Sequence, residues 1–272
     1  MIYLRNAAYS SPPEGQCDDY PFSINLLGSF ESIGFKSAIT FLVGENGSGK
    51  STMIEAIAAA AGSVAAGGES IQADRTLEPA RRLARHLRLT WNKKIHKGFF
   101  LRSEDFFNFI RRTNELRHEM KNELDQVEKD YAGRSEYARS MARMPYAGSL
   151  SGLERKYGGD LGANSHGEGF LKFFQARFVP GGLYILDEPE VPLSPLRQLS
   201  FVSMLVEMAE LDSQFIIATH SPILMATPGS TILDFDQSPP REAEYGELQH
   251  VTLTRDFLNN PDLFLRNLRS ED

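Results

Sequence analysis

The chain has 272 residues, 41% hydrophobic and 24% charged, a balance that suits a globular protein with a sizeable core. Its one cysteine, Cys17, excludes an internal disulfide and predicts a reducing, cytoplasmic setting; no apolar run reaches membrane-span length, and the opening MIYLRNAAYSSPPEGQ lacks the order of a signal peptide. The net charge of −7 conceals an asymmetry: residues 75–121 hold 13 Lys+Arg against 5 Asp+Glu. That stretch is either a nucleic-acid or partner surface or a solvated helical face.

In chain order, the runs MIYLRNA and PFSINLL read as strands, separated by the Ser/Pro/Gly-rich YSSPPEGQCDD. AITFLV is a short, continuously apolar run of the kind found in a buried parallel strand, and KSTMIEAIAAAA follows it as a helix. EPARRLARHLRLTWNKK has helical spacing through Leu83 and Leu87. GFFLR reads as a strand, and the segment after it as a long amphipathic helix rich in (i, i+4) charge pairs. PYAGSLSGLERKYGGDLGANSHGEG is Gly/Ser-rich and is expected to be irregular. GLYILDE, QFIIATH and STILDFD are strand-like, with the helical PLRQLSFVSMLVEMAEL between the first two. Alternating strands and helices predict an α/β fold with a mostly parallel central sheet. Antiparallel strands are expected at the N-terminal end, and a helical lobe of about residues 104–164 is inserted within a single domain, 1–272.

Gly44-Glu45-Asn46-Gly47-Ser48-Gly49-Lys50-Ser51 fits G-x-x-x-x-G-K-[ST] at every fixed position, with Thr52 after it. Glycines allow several backbone N–H groups to converge on one oxyanion, and the helix that follows adds its positive end. Lys50 offers a point charge to the β- and γ-phosphates, and the Ser51 hydroxyl is a candidate Mg²⁺ ligand. LYILDEPE ends a strand in Asp187 and Glu188, on the sheet edge where phosphates bind. Asp187 is a candidate Mg²⁺ holder, and Glu188 is placed to polarise the attacking water. FIIATHSP puts His220 just past the next strand, where a neutral imidazole would hydrogen-bond the γ-phosphate or its water.

Ser165-His166-Gly167-Glu168-Gly169 resembles the S-G-G-Q core of the ABC-ATPase signature, with His166 for the first glycine and Glu168 for the glutamine. It lies 22 residues before Asp187, and His220 lies 33 after, intervals similar to those of ABC-type heads. EVPLSP occupies the place of the dimer-contacting D-loop, with Ser194 matching its serine. With LVGENGSGKST, LYILDEPE, LSPLRQ, ATHSPIL and the closing TRDFLNNP, the chain resembles compact, stand-alone bacterial ATPases of the ABC superfamily, related to SMC and double-strand-break-repair heads. TRDFLNNP looks like a hallmark with no evident chemical role. No glutamine stands where the Q-loop should be, and Glu104 in FFLRSEDFF is the candidate there. Tyr20, Phe22 and Phe30 are upstream aromatics that read as core.

The resemblance implies an ATPase that binds ATP and Mg²⁺ and dimerises head to tail, one subunit's loop and the other's Ser165 and Gly167 enclosing each nucleotide. It implies a switch acting on a partner protein or nucleic acid. Two alternatives remain open: a nucleotide-sensing module that controls a partner nuclease or toxin, and a transporter subunit.

Overall fold

The computed structural model describes residues 1–12, 19–66, 71, 74–157 and 166–266. In chain order the strands are β1 (Leu4–Tyr9), β2 (Ser32–Gly34), β3 (Ile39–Val43), β4 (Leu87–Trp91), β5 (Gly98–Arg102), β6 (Leu183–Asp187), β7 (Gln214–Ala218), β8 (Thr231–Asp234) and β9 (Arg241–Glu242). The helices are α1 (Lys50–Ala61), α2 (Glu78–Ala84), α3 (Ser103–Asp130), α4 (Glu136–Tyr157), α5 (His166–Arg177), α6 (Pro195–Glu210), α7 (Pro222–Met225), α8 (Gln249–Asn259) and α9 (Pro261–Arg266).

A six-stranded sheet runs β5-β6-β7-β3-β8-β9, parallel throughout except where β9 pairs antiparallel with β8. A three-stranded antiparallel sheet, β2-β1-β4, lies beside it. This is the α/β architecture the sequence implies: a mostly parallel central sheet with antiparallel strands from the N-terminal end beside it.

Every residue of β3, β6 and β7 is buried, which is why these runs are apolar without alternation. Their side chains still alternate between two cores. Ile39, Phe41, Val43, Tyr184, Leu186, Phe215 and Ile217 join the phenylalanines of α3, α5 and α6 on one face. Leu42, Ile185, Ile216 and Ala218 face α1, α2 and the small sheet on the other. The first core is a lattice of rings: Phe106 meets Phe170 edge-on at 4.4 Å, and Phe174 lies 4.8 Å from Phe201. Gln214 ties the two sheets together. Its Oε1 accepts from the amides of Tyr3 and Leu4 (2.8 Å each), and its Nε2 donates to the Leu4 carbonyl at 2.8 Å.

Three expectations are corrected. PFSINLL is not a strand: it turns, with Phe22 N donating to Asp19 O (2.8 Å), and passes into a 3-10 turn at Asn25–Gly28. Its Phe22, Leu26 and Leu27 are buried against the second core instead of joining a ladder. The helix read across Leu83 and Leu87 stops at Ala84. Leu87, Leu89 and Trp91 alternate toward the second core as strand β4, a period of two that one pair of leucines four apart had masked. The Gly/Ser-rich segment is helical through Tyr157 despite Pro145 within it. Gly148 and Gly152 have open space where a side chain would be, so they serve no close contact. The C-terminal end of α4 is packed: Tyr157 is buried, meets Phe109 edge-on at 5.4 Å and accepts from Arg177 Nε at 3.2 Å. In the chain, α3, α4 and α5 are inserted between β5 and β6.

Candidate nucleotide site

β3 delivers the chain straight into the glycine loop, and α1 begins at Lys50. Gly44, Gly47 and Gly49 all have positive φ (146°, 85° and 95°), backbone that side chains resist. At Gly44 space adds to the demand, since a Cβ would stand 2.9 Å from Asp236 Oδ1. That same oxygen accepts from Glu45 N at 2.7 Å, so Asp236, just past β8, braces the loop's entry. Lys50 Nζ donates to the carbonyls of Gly44 (2.7 Å) and Glu45 (2.8 Å) and lies 3.4 Å from Ser48 Oγ. Burial lowers its pKa, while Asp236, Glu188 and Asp187 oppose that shift. Glu45 and Asn46 are exposed at the loop's tip. Thr52 Oγ1 shares a 3.0 Å hydrogen bond with the Tyr20 hydroxyl. Phe22 and Phe30 are core residues as expected, but Tyr20 is not: it is 51% exposed above the loop.

Ser51 Oγ donates to Asp187 Oδ1 at 3.3 Å. Asp187 is the last residue of β6; burial first, then the charges of Glu55 and Glu188, push its carboxyl up to about 7. A carboxylate among carboxylates is the setting a divalent cation reverses. Ser51 and Asp187 therefore fit Mg²⁺ held jointly with phosphate oxygens. Among the described residues no group of three His, Cys, Asp or Glu side chains could hold a metal ion by itself.

Glu188 has φ of +49°, strained for a residue with a side chain. Its amide donates to Ala218 O at 2.9 Å, and Ser103 Oγ donates to its carbonyl and to that of Asp187 (3.2 Å). Ser103, the first residue of α3, thus locks the acidic turn; its sequence context carried no sign of this. Glu104 is exposed and pairs with Arg102 at 2.9 Å, within a cluster that adds Asp74, Asp105 and the half-buried Glu55. In this structure the Q-loop candidate is a partner of Arg102.

His220 lies beside this turn, its Nε2 3.7 Å from Glu188 Oε1 and its backbone N donating to Glu190 Oε1 at 2.7 Å. Burial lowers its pKa, with Lys50 adding to the effect. Its Nδ1 lies 3.3 Å from Nε2 of His250, a second histidine on α8 that motif spacing did not reveal. His250 Nε2 is also 3.9 Å from Glu45 Oε1 of the loop.

Of the signature-like residues, Ser165 lies outside the described residues. Gly167 is in the first turn of α5, where a Cβ would meet Arg197 Cδ at 2.7 Å and Pro192 O at 2.9 Å. Glu168 pairs with Lys172 at 3.0 Å. Ser194 is exposed at the start of α6, and Val191 (56%), Leu196 (75%) and Leu199 (57%) are exposed around it.

The basic stretch divides. Arg81 donates to Ile71 O and Asp74 O, Arg82 to Tyr20 O, and Arg102 and Arg117 are buried. Arg85, Arg88, Lys93, Lys94 and Lys97 are exposed on and around β4.

Residues 63–226, more than half of the chain, match the family described as "AAA domain, putative AbiEii toxin, Type IV TA system". The chain belongs to that family. The matched span starts after the glycine loop and includes Asp187, Glu188 and His220. Family and fold are of the ATPase type, in line with the P-loop ATPase class of the sequence motifs. No curated protein matches the chain. Among solved structures, the Smc head domain of Pyrococcus furiosus, crystallised with the C-terminal domain of ScpA, is 13% identical, with a TM-score of 0.47 over 96% of this chain and 100% of that one. The SMC head domain of Thermotoga maritima is 15% identical, with a TM-score of 0.44 over 89% and 98%. The cbiO1 subunit of the Clostridium perfringens ABC transporter complex cbiONQ is 16% identical, with a TM-score of 0.46 over 97% and 98%. These are distant resemblances, and no functional statement rests on them. Among the described residues no helix is long and apolar enough to cross a membrane.

Proposed function

We propose that the chain hydrolyses ATP and works as an ATP-gated dimerisation switch. One observation carries this reading: a single sheet edge brings together the loop Lys50, the Ser51–Asp187 contact, and Glu188 with His220 at 3.7 Å. Backbone N–H groups of Gly44 to Thr52 and the Lys50 ammonium hold the phosphates. Mg²⁺ on Ser51 and Asp187 would offset the charge gathering on the phosphate oxygens. Glu188 takes the proton of the attacking water, and His220 orients that water or a phosphate oxygen.

The dimer is supported by the exposed Val191, Leu196 and Leu199 around Ser194, directly beside the first turn of α5. In this reading the partner's Ser165 and Gly167 close each site. Light scattering tests it. Glu188→Gln with ATP and Mg²⁺ should run as a dimer and without nucleotide as a monomer. Adding Ser165→Arg should return it to monomer while leaving ATP binding intact. An ATP-loaded Glu188→Gln protein that stays monomeric at tens of micromolar would overturn the switch and favour a single-chain ATPase.

The second reading, a nucleotide-sensing module controlling a partner toxin or nuclease, is favoured by the family description, which names a toxin of a Type IV toxin–antitoxin system. It predicts slow turnover and a co-purifying partner protein, whereas nucleic-acid control predicts binding through the exposed bases around β4.

A further inference from the structure

His250 and the TRDFLNNP segment stand outside the mechanism so far, yet α8 carries His250 and the segment through Asn259. Leu248 and Val251, each 4% exposed, root the start of α8 in the first core, so the position of His250 is set by packing. The rest of the motif turns the chain back. Asn260 ends α8 with its amide on Asp256 O (3.0 Å), its Oδ1 accepts from Leu263 N (3.3 Å), and Phe257 meets Phe264 of α9 at 5.7 Å. The segment thus builds a helical hairpin whose first turn presents His250 to the site.

With neither ring charged, imidazole nitrogens 3.3 Å apart hold one proton between them. Two arrangements are available. If His220 Nδ1–H donates, its bare Nε2 faces Glu188 Oε1 at 3.7 Å, and the bare Nε2 of His250 faces Glu45 Oε1 at 3.9 Å. Both would set lone pair against carboxylate. If His250 Nε2–H donates, both carboxylates face N–H groups instead. We propose that His250 is a positioning residue that fixes His220 in the Nε2–H tautomer, so that His220 offers a donor to the phosphate pocket beside Glu188. Its catalytic consequence rests on the ATPase reading above; the tautomer itself does not. Nε2 of His220 is buried and has no hydrogen-bond partner among the described residues, as a donor awaiting a ligand oxygen would be.

The experiment is a long-range ¹⁵N–¹H correlation on ¹⁵N-histidine-labelled protein without nucleotide, the His220 signals assigned by their loss in His220→Gln. In the wild type, Nε2 of His220 should be protonated and Nδ1 bare. His250→Phe, or His250→Ala should the phenylalanine variant not fold, should give a mixture of tautomers. His250→Gln, whose amide can still donate, should restore the single form. In turnover, His250→Phe should lower kcat about tenfold with KM for ATP unchanged, and His250→Gln should recover most of it. A wild-type His220 protonated at Nδ1, or a tautomer indifferent to His250→Phe and His250→Ala alike, would overturn the proposal. Absence of hydrolysis by the wild type would instead overturn the ATPase reading and leave the tautomer result to decide this one.

Discussion

Glu188 is held at φ +49° by two backbone restraints, Ala218 O on its amide and Ser103 Oγ on its carbonyl. Strain kept in place at one carboxylate suits a group that must aim at a single atom. Glu188→Gln keeps the shape and removes the base, so ATP turnover should fall about 10²-fold with ATP binding retained. Turnover at the wild-type rate would remove Glu188 from the mechanism. Glu55 makes a separate prediction. Burial pushes its carboxyl up from 4.5 to about 7, against the pull of Arg102. Between those values the folded chain keeps a proton that the unfolded chain has released. Stability therefore falls as pH rises through this window and stays lowered above it. Asp187 and Glu190 act in the same sense, while His220, its pKa lowered by burial, acts oppositely at acid pH. The measurement is thus a difference: without nucleotide, the melting temperature of Glu55→Gln should gain on that of the wild type from pH 5 to pH 8. A gap that does not change with pH would show that Glu55 is ionised throughout.

Elements were legible where one local rule decided them. β3, β6 and β7 are short, largely apolar runs feeding a glycine loop, an acidic pair and a histidine, so each strand could be read together with the candidate site residue at its end. β4 and α4 were misread because a neighbour decided them: pairing with β1 made a strand of Leu87–Trp91, and packing at Tyr157 kept a Gly/Ser-rich helix. Ser103 and His250 were invisible for the same reason, since each acts on a residue far along the chain. Gly167 was legible as part of a signature, but its necessity appears only in space. In Gly167→Ala the methyl would lie 2.9 Å from the Pro192 carbonyl, and backbone cannot step aside as readily as Arg197 can. Overpacking of that kind costs about 1–3 kcal/mol. The variant should bind a fluorescent ATP analogue normally but lose ATP-dependent dimerisation in the Glu188→Gln background. Unchanged dimerisation would mean that the start of α5 does not reach the partner.

For the whole molecule, the proposed composite sites allow complementation. A chain altered at Lys50 and another altered at Ser165 should each be inactive; mixed, they form one site with both lesions and one with neither, so activity should reappear. Mixtures as inactive as their components would argue that each chain completes its own site. The charge asymmetry is a property of the same scale. Arg85, Arg88, Lys93 and Lys94 are the exposed members near β4, and their reversal to Glu should abolish any binding to duplex DNA whose log affinity falls linearly with log salt. No binding by the wild type at about 50 mM salt would turn the search toward a protein partner.

Gln214 joins an edge layer to the deepest strand of the protein. Its side chain is fully buried, its Oε1 accepting from the amides of Tyr3 and Leu4 and its Nε2 donating to the Leu4 carbonyl. For β1 to peel away, three buried hydrogen bonds must open inside β7, next to the strand that feeds the glycine loop. Fraying of the small sheet is therefore not a local event. The amides of Tyr3 and Leu4 should exchange with solvent deuterium as slowly as those of Phe215 and Ile216, by the same global opening. In Gln214→Leu the first pair should speed up by orders of magnitude while the second exchanges as slowly as before, splitting one cooperative unit into two.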